Sequence, residues 1–198
     1  MVVLPAQEAV VKAVSLKISK KAPNRSSNFA NRFTMKTKIL YIFMFLTNIG
    51  LAQDNISELL KKYNNERIPY ITVQELAMPK TDAILLDARE LYEFEVSHIK
   101  NGIYVGYDDF EISTVNEKIT DKSSKIVVYC SIGIRSEDIA ERLKNEGYTH
   151  VYNLFGGIFE WKNNNYTVYN KDEKPTENVH AFSKEWSQWL LKGIKIYD

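Results

Sequence analysis

The chain reads as an α/β fold: a mainly parallel, five-stranded sheet flanked by helices on both faces. Three observations predict it. Five short apolar runs of strand length alternate with stretches of helical pattern. Several runs are continuously apolar rather than alternating, as in strands buried on both faces of a parallel sheet. The only cysteine, Cys130, directly follows the run Ile126-Val127-Val128-Tyr129, at a strand's carboxyl end, where open α/β sheets usually bind ligands.

The elements follow in order. The segment Asn55-Ile56-Ser57-Glu58-Leu59-Leu60 predicts a short capped helix. Tyr70-Ile71 leads into Thr72-Val73-Gln74-Glu75-Leu76, where a strand gives way to a helix. Further strands are expected over 83–86, 103–105, 126–129 and 150–153, with helices over 90–96 and 136–145 and Gly147 as the stop of the latter. Asn163-Asn164-Asn165 and Lys171-Asp172-Glu173-Lys174-Pro175 read as loops. In the tail, Phe182, Trp186, Trp189 and Leu190 fall at i, i+4, i+7 and i+8, which predicts an amphipathic helix ending near Gly193 and packed back on the domain. There are no internal repeats.

Charge divides the chain. Residues 1–52 hold eight Lys and Arg against one Glu, leaving 18 basic and 24 acidic residues in 53–198 of the chain's 26 and 25. The acidic main part predicts no nucleic-acid partner. Met35-Lys36-Thr37-Lys38 precedes an apolar run from Ile39 that ends in Gly50-Leu51-Ala52, the form of a secretory signal peptide over 35–52 with cleavage before Gln53. The run is shorter than the roughly 20 residues that span a bilayer, so no stable membrane insertion is expected after cleavage. The expectation is an exported, periplasmic protein. Residues 1–34 are expected to be a mis-assigned start or a leader, with translation beginning at Met35. A helical extension over 53–69, a domain over 70–162 and a C-terminal loop and helix over 163–198 complete the organisation.

A single cysteine excludes an internal disulfide framework and a cysteine-rich zinc site. The stretch Cys130-Ser131-Ile132-Gly133-Ile134-Arg135-Ser136 instead places a thiol between a strand and a helix N-terminus, where backbone N–H groups converge and anions bind. Such positions favour the thiolate, the nucleophilic form. Arg135 adds a planar fork of donors suited to an oxyanion, and Gly133 stands where the backbone must turn or approach a ligand closely.

This loop resembles the Cys-x-x-Gly-x-Arg-Ser/Thr loop of rhodanese-type sulfurtransferases. Upstream, Leu86-Asp87-Ala88-Arg89, Glu93-Phe94 and Ser97-His98-Ile99-Lys100-Asn101-Gly102 are similar to the family's Asp-x-Arg, Glu-Phe and Gly-His-Ile…Gly-Ala signature. Downstream, Leu154-Phe155-Gly156-Gly157-Ile158-Phe159-Glu160-Trp161 resembles its closing Leu-x-Gly-Gly-x-x-x-Trp segment. The resemblance implies a rhodanese-like domain in which Cys130 takes the outer sulfur of thiosulfate or a similar donor, becomes a persulfide and passes the sulfur to a thiol or cyanide. The N–H groups of 131 to 135 would hold the terminal sulfur. A protein acceptor is left unnamed.

Cys130 and Arg135 are thus the expected catalytic residues, with Ser131, Ile132, Gly133, Ile134 and Ser136 at the substrate; Asp87 and Arg89 are read as an internal ion-pair framework beside the loop, Asp87 in structural support and Arg89 counted as a further substrate ligand. His98 is expected to be structural, and His150 and His180 show no ligand spacing, so neither metal nor cofactor is predicted. Glu137 and Asp138 suit the helix dipole and solvent. Phosphatases and arsenate reductases of the same fold resemble Cys-x5-Arg, whereas Cys130 to Arg135 is Cys-x4-Arg. The shorter loop favours sulfur. A non-catalytic persulfide carrier or partner-binding module is the alternative.

Overall fold

The structure is a computed structural model that describes residues 56–197. The expected leader (1–34) and signal segment (35–52) lie outside the described residues. Among those described, no helix is long and apolar enough to cross a membrane.

Helix α1 covers 56–63. Strand β1 (Tyr70–Ile71) runs into α2 (Val73–Leu76), opened by a capping box in which Thr72 and Glu75 satisfy each other's backbone N–H groups. Then follow β2 (Ile84–Asp87), α3 (Leu91–Val96), β3 (His98–Ile99), β4 (Ile103–Tyr104), α4 (Ile112–Lys118) and β5 (Lys125–Tyr129). Next come α5 (Arg135–Asn145), β6 (His150–Leu154) and α6 (Gly157–Asn163). The main sheet has the order β1-β6-β5-β2-β4, and every pairing in it is parallel. The predicted α/β class and five strands are therefore present.

Alternation along β5, the central strand, builds two cores. Val127 and Tyr129 face Ile71, Leu154, Ile158 and Phe159 on one side, where α2 and α6 pack. Ile126 and Val128 face Leu86, Ile139, Ala140 and Leu143 on the other, where α5 packs. A strand buried on both faces in this way orients its carboxyl end rigidly, and Cys130 is the first residue beyond it.

The C-terminal segment departs from expectation. In place of a loop and one amphipathic helix it holds β7 (Val168–Tyr169), β8 (Pro175–Thr176), β9 (Asn178–His180), a single 3-10 turn (Trp186–Trp189) and β10 (Ile194–Ile196). β3, β7 and β8 form a small antiparallel sheet, and β9 pairs with β10 in parallel. The 3-10 pitch puts Trp186 and Trp189 on one side, and both pack with the buried Leu190 on the α6 face of the sheet. Helix propagation stops there because Asn163 intercepts the chain. Its side chain donates to the Trp189 carbonyl at 2.9 Å and accepts the N–H groups of Leu191 and Lys192 at 2.7 and 3.2 Å. The segment packs on the sheet as an irregular strap.

Candidate active site

Cys130 is almost fully buried at the base of a pocket of about 150 Å³. Cys130, Ser131, Ile132, Ile134 and Arg135 supply its floor, and Phe182 and Trp186 of the C-terminal strap supply its roof. The loop turns sharply at Gly133, whose φ of 106° is open to glycine and strained for other residues. That turn aims the Gly133 N–H at Cys130 Sγ, 3.1 Å away. The turn is held from behind by two amides, since Asn153 Nδ2 and Asn64 Nδ2 each donate to the Gly133 carbonyl at 2.8 Å.

Asn153, fully buried on β6, is the keystone of this side. It also donates to Glu137 Oε2 at 3.0 Å and accepts the Ser136 hydroxyl at 2.7 Å. Ser136 Oγ stands 3.5 Å from Cys130 Sγ. Gly133 and Ser136 therefore sit behind the thiol and hold it, whereas Ser131, Ile132 and Ile134 line the pocket. Glu137 corrects the expectation of a solvated helix-start carboxylate. It is buried, and burial raises its carboxyl above the ordinary value. Asp138 does face outward and accepts the Tyr107 hydroxyl at 2.7 Å, which with burial pushes that phenol up to about 12.

The third motif also acquires a reason. Ile158 N–H and Phe159 N–H, at the start of α6, donate to the carbonyls of Cys130 and Ser131 at 2.9 and 3.1 Å. Gly157 makes that approach possible, because a Cβ there would run into the Cys130 carbonyl oxygen and the Ser131 backbone.

On the other flank, Arg135 is not the free cation that its motif suggests. Its guanidinium forks onto Glu93, with Nη1 donating to Oε2 at 2.6 Å and Nη2 to Oε1 at 2.9 Å. Nη2 also donates to Ser131 Oγ at 3.1 Å, and Ser131 donates in turn to Glu93. Burial alone would push the Glu93 carboxyl up. Hydrogen bonds from His180 and Arg135, and the charges of Arg135 and Arg89, outweigh that and hold it well below the carboxylate range. Burial likewise opposes the Arg135 charge, but Glu93 and the neighbouring Cys130 raise its affinity for the proton. The Arg135 guanidinium also lies 5.0 Å from the centre of the Phe182 ring.

Arg89 requires a correction as a substrate ligand. It is sealed in the interior, where Nε and Nη2 grip Asp87 at 2.9 and 2.6 Å and Nη2 reaches the Ser97 carbonyl at 2.7 Å. A buried guanidinium needs such pairing, and the pair acts as a strut between the end of β2 and the start of β3. Asp87 is the buried partner of that guanidinium. His98 is structural too, bonded to the Phe94 carbonyl and Glu173 and stacked on Phe94. His180 is brought to the site, with Nδ1 3.8 Å from Glu93 Oε1.

Glu93, Asn153, His180, Phe182 and Trp186 were thus not marked as site residues by the sequence. For Glu93 the one signal was its place in the Glu-Phe motif. For Phe182 and Trp186 it was their place on the apolar face predicted for the tail.

A sequence model of the rhodanese-like domain family matches residues 72–164. Thiosulfate sulfurtransferase GlpE of Coxiella burnetii is 32% identical over 97 residues, which cover 49% of this chain and 87% of that protein. A tRNA uridine(34) hydroxylase of Hamiltonella defensa is 41% identical over 83 residues, 40% of this chain but only 23% of that protein. The chain thus spans about a quarter of that relative's length. The crystal structure of a thiosulfate sulfurtransferase from Pseudomonas aeruginosa superposes with a TM-score of 0.50 at 20% identity, over 70% of this chain and 26% of that one, a likeness of fold.

Proposed function

This chain belongs to the rhodanese family, and on that premise we propose that it is a sulfurtransferase working through a persulfide on Cys130. The observation that carries the reading is the buried Cys130 sulfur at a pocket floor, at the carboxyl end of the central strand, facing the Gly133 N–H at 3.1 Å. In the proposed step the thiolate attacks the outer sulfur of the donor. The bond between the donor's two sulfurs breaks, its electron pair leaves with sulfite when thiosulfate is the donor, and the persulfide anion remains on the enzyme. An acceptor thiolate or cyanide then attacks the terminal sulfur and restores Cys130.

The attacking Cys130 thiolate needs a donor already in place, and the Gly133 N–H, 3.1 Å from Sγ and fixed by Asn64 and Asn153, meets that need without reorganisation. Arg135 lines the pocket with its guanidinium paired to Glu93 and its geometry set by that pair. The short Cys-x4-Arg spacing supports sulfur over phosphate chemistry. The partners on this reading are a small-molecule sulfur donor and a thiol or cyanide acceptor. We propose export as well, from the composition of residues 35–52. N-terminal sequencing of protein from the native host is expected to start at Gln53, and an intact leader on soluble protein would refute this.

The activity is tested by the intact mass of purified protein after incubation with thiosulfate. A gain of one sulfur atom, removed again by cyanide with turnover, is expected. Hydrolysis of p-nitrophenyl phosphate without sulfur loading would replace the reading with a phosphatase, and loading without turnover would leave a carrier.

A further inference from the structure

The pocket's roof comes from outside the matched family segment, which ends at residue 164, whereas Phe182 and Trp186 lie on the C-terminal strap. Trp186 is backed by Tyr63 of α1, the ring centres 5.9 Å apart at 65°, so both extensions of the domain meet over the cysteine. Phe182 has a φ of 63°, a region disfavoured for a residue with a side chain and retained only where the surroundings impose it. Its ring is set beside the Arg135 guanidinium yet stays 44% exposed, which leaves ring surface uncovered by the protein.

Two further facts narrow what this pocket selects. At about 150 Å³ it exceeds the needs of a single sulfur atom; an apolar cavity of roughly that volume accommodates a benzene ring. Its walls are Ile132, Ile134, Phe182 and Trp186, and its one cation is already balanced by Glu93 at 2.6 and 2.9 Å. A dianion entering here gives up hydration on both charges without meeting an unpaired positive charge. A monoanion with a flat apolar group gives up less and buries its ring against the aromatic roof.

We propose that Phe182 and Trp186 are specificity-determining residues that select an organic sulfane-sulfur donor of the thiosulfonate class over inorganic thiosulfate. The proposal rests on the sulfurtransferase reading above. The Cys130 thiolate attacks the donor's outer sulfur, and the bond from that sulfur to the sulfonyl sulfur breaks. The pair departs with an organic sulfinate, and the Cys130 persulfide anion remains. Charge balances at two negatives on each side, and no oxidant or reductant is consumed. The apolar substituent lies between the two isoleucines and the aromatic roof while this occurs.

The test compares benzenethiosulfonate with thiosulfate, using the full chain and cyanide as common acceptor, and reads kcat/KM for each donor. Because the donors differ in leaving group, the decisive number is how their ratio changes on substitution. Wild type is expected to favour benzenethiosulfonate by about tenfold or more, and Phe182→Ala and Trp186→Ala are each expected to lower that ratio by about fivefold, chiefly through KM of the organic donor. Phe182→Tyr is expected to keep it. Phe182 is partly exposed, so its variants stay informative even if Trp186→Ala folds poorly, and a general loss of structure lowers both donors together. A ratio that neither alanine variant moves beyond about twofold, or a wild type that favours thiosulfate, overturns the proposal. Intact mass separates the two readings. Sulfur loading from either donor with an unmoved ratio removes the specificity proposal alone, and loading from neither removes both.

Discussion

Beneath the Cys130 loop buried polar groups are joined by directional bonds: Asn153 bonds to Gly133, Ser136 and one carboxylate oxygen of Glu137, and Glu93 bonds to Arg135 and Ser131. Above it, Phe182 and Trp186 present aromatic surface on an irregular strap whose path depends on the Asn163 side chain. The bonds beneath the loop fix the position of the Cys130 sulfur, which requires direction. The roof only has to exclude water and receive apolar surface, which needs area rather than direction. Substitutions among these paired polar groups are therefore expected to impair every donor alike, and roof substitutions to change the choice among donors.

The most severe break is Cys130→Ser, which is nearly isosteric but supplies no thiolate at neutral pH. Sulfur transfer from both donors is expected to fall to background with an unchanged melting temperature. Appreciable turnover in this variant would show that the floor is not where the chemistry occurs.

Next in size is Glu93→Gln. It leaves the mostly buried Arg135 guanidinium without its counter-charge, and the loss of stability is expected to be about 3 kcal/mol by urea denaturation. The pH dependence has a definite sign. The Glu93 carboxyl is held low in the folded state, so its contribution is complete above the unfolded value of about 4.3 and is lost as pH falls through the folded value. The wild-type advantage over Glu93→Gln is therefore expected to shrink as pH drops from about 5 to about 3. Glu137, raised by burial, acts in the opposite sense, since protonation relieves its desolvation. It is common to both proteins and cancels from the difference. An advantage that grows in acid would contradict the Glu93–Arg135 account.

The smallest expected effect is that of Asn153→Ala, which removes one of two amides from the Gly133 carbonyl and leaves Asn64 in place. A loss of about 2 kcal/mol is expected from the unsatisfied buried groups. The kcat values for thiosulfate and benzenethiosulfonate are expected to fall by the same factor. Unequal factors would erase the division between floor and roof.

Much of the scaffold was legible in the chain because its signals are local. The continuous apolar run 126–129, the switch from strand to helix at Thr72, and the thiol one residue past a strand each depend on neighbours within a few positions, as do the three motifs of the family. The long-range partnerships were not legible in the same way. Arg135 reads as a free oxyanion ligand until the fold brings Glu93, 42 residues earlier, against it. The pairing of Arg89 with Asp87, two residues away, is local and legible, whereas its complete enclosure away from the pocket depends on the fold. The tail's 3.6-residue periodicity at Phe182, Trp186, Trp189 and Leu190 is real as a pattern of burial, yet Asn163 captures the backbone after one tight turn. Local sequence thus determined the sheet and the place of the cysteine thiol. Tertiary structure alone decided which charges are already neutralised and which aromatic rings stand over the sulfur, because both depend on hydrogen bonds and packing between segments far apart in the chain.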